Sequence, residues 1–162
     1  MPMDNMEAMF THELEDMYSA EHEILDALDE MAEETEDESI AEVFREHRNE
    51  TEGQIDRLEQ VFDELGRSPN QEECEAIEGL IAEHEEIKQM DPNPKVLNVA
   101  NTVSAEKTEH YEIAAYGNLT KLAQQMGMDE ASDLLGQNLE EEKRMLGRLE
   151  DLSEEYDYES IA

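Results

Sequence analysis

The sequence predicts an all-α bundle, on three observations. Apolar residues recur at helical spacing through most of the 162-residue chain. Strong stop signals fall at only a few points, at Gly66 to Pro69, at Asp91 to Pro94 and at Gly127, and they divide the chain into long helical stretches. Near the midpoint of each of four long stretches, an acid or an acid with a histidine interrupts the apolar face. One such interruption would be unremarkable, but four imply a shared polar centre.

The first helix is expected from Met6 to about Glu34, on Phe10, Leu14, Met17, Tyr18, Ile24, Leu25, Leu28 and Met31. Glu21 fills the gap in that row and so faces inward, whereas Glu13, Glu15, Glu23 and Asp26 belong to the wet side. Thr35 to Ser39 is an acidic turn that offers Asp37 and Ser39 as helix caps. A second helix follows from about Ile40 to Leu65, stopped by Gly66 and Ser68-Pro69. Its stripe runs Ile40, Val43, Phe44, then His47, Glu50 and Gln54, then Leu58, Val61, Phe62 and Leu65. His47 and Glu50 are one turn apart and can converge on one ion, whereas a lone histidine there would be a hydrogen-bonded core residue.

Gln71 to Met90 reads as a shorter helix with Cys74, Ile77, Leu80, Ile81 and Ile87 inward, closed by Asp91-Pro92-Asn93-Pro94. Glu78 borders that stripe, and either reaches an inner site or stays on the rim. His84 and Cys74 read as packing residues. The fourth helix is expected from Lys95 to Gly127, with Ala105, Glu109, Glu112, Tyr116, Leu119 and Ala123 in one row. Two acids thus lie inside an apolar stripe. A slight rotation would expose both and bury Val103, Ile113 and Thr120 instead. Burying an unpaired carboxylate costs on the order of several kcal/mol or forces it to stay protonated, and a metal cation removes that penalty. Asp129 then caps a last helix with the stripe Ala131, Leu134, Leu135, Asn138, Leu139, Glu142, Met145, Leu146, Leu149 and Leu152. Glu142 lies in its middle, and Glu141 takes that place if the phase is off by one. Residues 1–152 are expected to form a single domain, with 153–162 as an acidic, aperiodic tail.

Composition narrows the function. The chain carries 46 Asp plus Glu against 11 Lys plus Arg, a formal net charge of -35. Self-repulsion of that size destabilises a compact state in dilute buffer, while ~1 M salt shortens the screening length to ~3 Å. A salt-rich cytoplasm, as in halophilic organisms, is the expected setting. Nucleic acids and anionic membranes are excluded as partners, because both require basic patches. There is no transmembrane-length apolar run and no basic-then-apolar leader pattern, so a cytoplasmic location is expected. Cys74 is the single cysteine, which leaves oxygen and imidazole to hold any metal.

Glu21, His47, Glu50, Glu109, Glu112 and Glu142 would together place five carboxylates and an imidazole around one central volume. That donor set is the chemistry of carboxylate-bridged di-iron or di-manganese centres. At these residues the chain resembles the YciE/YciF-type ferritin-like proteins. The matching stretches are Tyr18-Ser-Ala-Glu21, His47-x-x-Glu50-Thr-x-x-Gln54-Ile-x-Arg-Leu, Glu78-Gly-Leu-Ile, Glu109-His-Tyr-Glu-Ile-Ala-x-Tyr-Gly and Leu139-Glu-Glu-Glu-Lys. Glu109-His-Tyr-Glu112 also resembles the rubrerythrin helix whose two acids, one turn apart, serve a di-iron centre, and the likeness implies a ligand role for both.

The resemblance implies a ferritin-like antiparallel four-helix bundle, with an additional helix in the crossover between core helices 2 and 3. It also implies a homodimer, a link to stress response, and ferroxidase chemistry in which two iron ions per chain, or manganese in their place, meet dioxygen or peroxide. Glu50, or Glu109 with Glu142, would bridge the ions, with Glu21, His47 and Glu112 as terminal ligands. Gln54 and Tyr116 would orient them, with Glu78 as a further candidate for that role. Two departures stand out. The usual Glu-x-x-His pair appears here reversed, as His47-x-x-Glu50, and Met145 occupies the place of a second histidine. The rival readings are a di-manganese peroxidase or catalase-like enzyme, and a non-catalytic helical stress protein. A DNA-coating mini-ferritin is disfavoured by the charge. Met3, Met6, Met9 and Phe10 either contribute an apolar contact or only frame the first helix.

Overall fold

In the computed structural model, which describes residues 2–70 and 73–162, the chain is helical almost throughout. Five helices follow in order: α1 (Met6–Glu34), α2 (Glu38–Glu64), α3 (Glu75–Gln89), α4 (Pro94–Gln125) and α5 (Asp129–Glu155), with a single 3₁₀ turn at Tyr158–Ser160. No strand occurs among the described residues.

The ends of the helices follow local chemistry. Asn5 accepts from the Ala8 N–H at 2.8 Å and starts α1. Asp37 accepts from the backbone of Ser39 and Ile40, so α2 begins at Glu38 and Ser39 lies inside it rather than capping it. Asn93 caps α4, whose first residue, Pro94, has no N–H to satisfy. Gly66 and Gly127 adopt φ of +66° and +71° just past α2 and α4, a conformation that costs glycine nothing. Because Gly127 turns the chain there, Met128 forms the boundary of α5 and Asp129 is its first-turn residue, not its cap. Its charge still suits the helix N-terminus. Within the described residues α3 begins at Glu75; the expected start at Gln71 lies outside them.

Short links make α1/α2 and α4/α5 antiparallel hairpins. The hairpins pack side by side, α2 on α5 and α1 on α4. Arg57 meets Asn138 and Arg148 meets Glu46, so α2 and α5 also run antiparallel. Since α2 and α4 then point the same way, the crossover must return along the bundle, and α3 does this on the outer face of α1 and α4. Cys74 at its start lies beside Asp16, and Lys88 near its end reaches Glu30 and Glu34.

Phe10, Leu14, Phe44, Leu58, Phe62, Leu119, Leu135 and Leu149 are buried and close the two ends of the bundle interior. Ile87, expected to face inward, is exposed. Its neighbour Lys88 takes the inner position instead, where Glu30, Glu34 and Glu85 hold the ammonium group. Helix α5 continues past Leu152 to Glu155, and the Tyr156 hydroxyl lies 2.7 Å from Thr102 Oγ1 on α4.

Candidate metal centre

Helix α4 settles which of its two rows is inside. Ala105, Glu109, Glu112, Tyr116, Leu119 and Ala123 are all buried, whereas Val103 is 43% exposed and Ile113 and Thr120 are half-buried. Both acids therefore sit in the core despite the desolvation cost. On α5, Glu142 is buried with them. Glu141, one residue back, turns to the α2/α5 seam and receives both arms of the Arg57 guanidinium at 2.7 Å. That ion pair fixes the phase of α5.

From α1, Glu21 is fully buried and accepts a short hydrogen bond from the Tyr116 hydroxyl. From α2, His47 and Gln54 are buried, but Thr51 rather than Glu50 completes their row. The Thr51 hydroxyl bonds back to the His47 carbonyl at 3.0 Å and needs no other partner. Glu50 is half-buried at the edge of the centre, facing the charges of Glu141, Arg144 and Arg57. Gln54 donates to Glu141 at 3.2 Å, and Asn138 spans the same seam by accepting from Arg57 and donating to the Gln54 carbonyl. Glu78 is exposed on α3, on the rim.

His47, Glu109, Glu112 and Glu142 each direct one donor atom into a common space, all within 4.8 Å of one another. Nε2 of His47 lies 2.6 Å from Glu109 Oε1 and 3.9 Å from Glu142 Oε2. Neither ring nitrogen of His47, and no carboxylate oxygen of Glu109, Glu112 or Glu142, makes a hydrogen bond, nor does Glu21 Oε2. Buried polar atoms are rarely left so. A cation fits this set: the donors are hard oxygens and one imidazole, with their lone pairs turned to a shared point.

Without a cation the charges oppose one another. Burial pushes the Glu21 carboxyl up to about 8, with repulsion from Glu142 adding to it and the Tyr116 hydrogen bond working against it. Burial likewise raises Glu109 to about 8. Glu112 is raised by burial and by the charges of Glu142, Glu21 and Glu109, and Glu142 by burial and by Glu109. Burial lowers His47. The metal-free centre therefore carries protons that a cation would displace.

Arg57 and Thr51 stand in the matched stretch from His47 to Leu58 but were given no role in the sequence reading. Arg57 had a signal, since it follows Gln54 by three residues on the same face. For Thr51 helical spacing gave no signal, because rows through Glu50 and through Thr51 are equally helical.

The family described as a domain of unknown function, DUF892, matches residues 5–161. Protein YciF of Escherichia coli (strain K12) is 41% identical over 154 residues, covering 94% of this chain and 93% of that protein. The crystal structure of the E. coli stress protein YciF superposes with a TM-score of 0.89 at 41% identity, over 93% of this chain and 96% of that one. YcfI from Rhodopseudomonas palustris, described as a candidate structural protein, gives a TM-score of 0.87 at 39% identity, over 91% and 94%.

Proposed function

The chain belongs to the DUF892 family, and we propose that it is a ferritin-like di-iron carboxylate protein that oxidises ferrous iron with dioxygen or peroxide. The observation that carries this reading is the set of orphaned donors on three helices, His47, Glu109, Glu112 and Glu142, with Glu21 from the fourth beside them.

Those residues would hold the metal, and Glu50 at the edge would complete the set when it swings inward. Iron held there would supply the redox chemistry, one electron per ferrous ion, so that two ions with two protons would account for the reduction of dioxygen to hydrogen peroxide. The two protons that complete the balance come from solvent, since those held on Glu21 and Glu109 in the metal-free centre leave when the cation binds. Tyr116 holds Glu21 in place through its hydroxyl, and the Arg57–Glu141 pair holds Gln54 and Asn138 against the centre. The apolar ends of the bundle keep bulk water out.

Adding ferrous ion to the metal-free protein in high salt tests the reading. Oxygen consumption with growth of ferric absorbance is expected in the wild type and absent in Glu109→Ala and Glu142→Ala. Uptake of manganese in preference to iron, with peroxide consumption, would turn the proposal to a di-manganese peroxidase. A second reading, a non-catalytic helical stress protein, draws on the description of YcfI as structural. It predicts no response to metal at all. The homodimer implied by the resemblance belongs to the proposal too: exposed Met3, Met6 and Met9 offer it an apolar surface, and light scattering checks it.

A further inference from the structure

Between α1, α3 and α4 lies a cavity of about 40 Å³ whose wall includes His47. About 10–15 Å³ suffices for one water, so the space takes a small molecule without rearrangement. Its walls are chiefly Ile24, Leu28, Met31, Ile77, Ile81 and Ala105. Thr108 and His84 along it are engaged elsewhere, Thr108 donating to the Ser104 carbonyl at 3.0 Å and His84 Nε2 lying 2.6 Å from Asn101 Oδ1, while His47 at the inner end keeps its ring nitrogens unpaired. At the outer end Glu30, Glu34 and Glu85 line the cavity, and Lys88 binds all three at 2.5, 2.6 and 2.9 Å. The rim thus ties its carboxylates to one cation, and the space behind it is greasy.

We propose that this cavity is the entry port by which dioxygen reaches the His47 side of the centre. An apolar throat imposes the full desolvation cost on a hydrated cation and leaves the hydrogen bonds of hydrogen peroxide unmade, while a neutral diatomic crosses it freely. The inference rests on the ferroxidase reading for the identity of the oxidant, but the port itself can be tested without metal. Ala27 and Ser104 line the cavity from opposite walls, are half-buried, and belong to no part of the centre described above.

Two measurements separate the claims. Crystals of the wild type pressurised with xenon should show the atom beside His47, and those of Ala27→Phe and Ser104→Phe should not; an empty wild-type cavity would overturn the port whatever the metal chemistry. In stopped-flow mixing of the ferrous-loaded proteins with dissolved oxygen, both variants should keep their iron content and melting temperature. Their second-order rate constant for oxygen should nonetheless fall by about tenfold or more. An unchanged constant in both would equally overturn it. If the wild type binds no iron but does bind xenon, the ferroxidase reading fails, and with it the assignment of dioxygen as the occupant.

Discussion

Nε2 of His47 stands 2.6 Å from Oε1 of Glu109, yet the two atoms make no hydrogen bond. They approach because α2 and α4 aim both at one point, which also receives donors of Glu112 and Glu142. Such convergence of buried, unpaired groups is costly in the metal-free chain and favourable around a cation.

The first expectation concerns pH. Glu21 and Glu109 have folded-state values raised to about 8 from an ordinary 4.5. A raised acid contributes stability that is fully present below about 4.5 and is lost as pH rises through about 8. Metal-free protein should therefore melt at progressively lower temperature between pH 5 and pH 9. Metal affinity should rise over the same range, because binding releases those protons. Calorimetry with and without chelator checks both slopes.

Replacing one buried acid by its neutral isostere should split stability from binding. Glu109→Gln removes the cost of keeping that carboxyl neutral, up to about 3 kcal/mol at pH 7 for a rise of this size. The metal-free variant should then melt above the metal-free wild type, but gain nothing when ferrous ion is added.

Glu50 and Glu142 differ in depth and should differ in effect. Glu142 is fully buried among the donors, whereas Glu50 is half-buried at the edge. Glu142→Ala should abolish iron binding, and Glu50→Ala should leave about one ion per chain, as measured by elemental analysis.

Arg57 should matter to assembly of the seam. It joins α2 to α5 through a two-pronged pair with Glu141 and a bond to Asn138, with both partners of the pair largely buried. Arg57→Ala should destabilise the fold by about 2–3 kcal/mol, less than loss from a fully dry site, and a double-mutant cycle with Glu141→Ala should show strong coupling.

A net charge of -35 predicts salt dependence. Raising KCl from about 0.1 M to about 1 M shortens the screening length from ~10 Å to ~3 Å, so thermal stability should climb across that range. A flat response would remove the expectation of a salt-rich setting.

Much of this architecture was legible because the signals were redundant. The rows of α1 and α5 each contain eight apolar positions and favour Glu21 and Glu142 inside, whereas the α4 row has only four, Ala105, Tyr116, Leu119 and Ala123, and burial in the structure is what selects it, with Glu109 and Glu112, over the row of Val103, Ile113 and Thr120. The row of α2 is thinner at its middle, where His47 to Gln54 is polar, and local spacing alone could not choose between Glu50 and Thr51. The structure buries Thr51 and leaves Glu50 at the edge, beside the Arg57–Glu141 pair, a contact between residues far apart in sequence. Ile87 was misplaced for a similar reason: hydrophobicity favours it over Lys88, but three carboxylates from α1 and α3 outweigh that preference. Helix starts were less sharply written, since Asp37 and Ser39 are both good caps.

The most direct test is metal per chain, by elemental analysis of protein purified in high salt without chelator and reloaded anaerobically with ferrous ion, beside Glu142→Ala. About two iron ions per chain in the wild type and none in the variant is the expected result. No metal in either would leave a helical bundle with a protonated acidic centre, and the account of that centre as a di-iron site would be wrong.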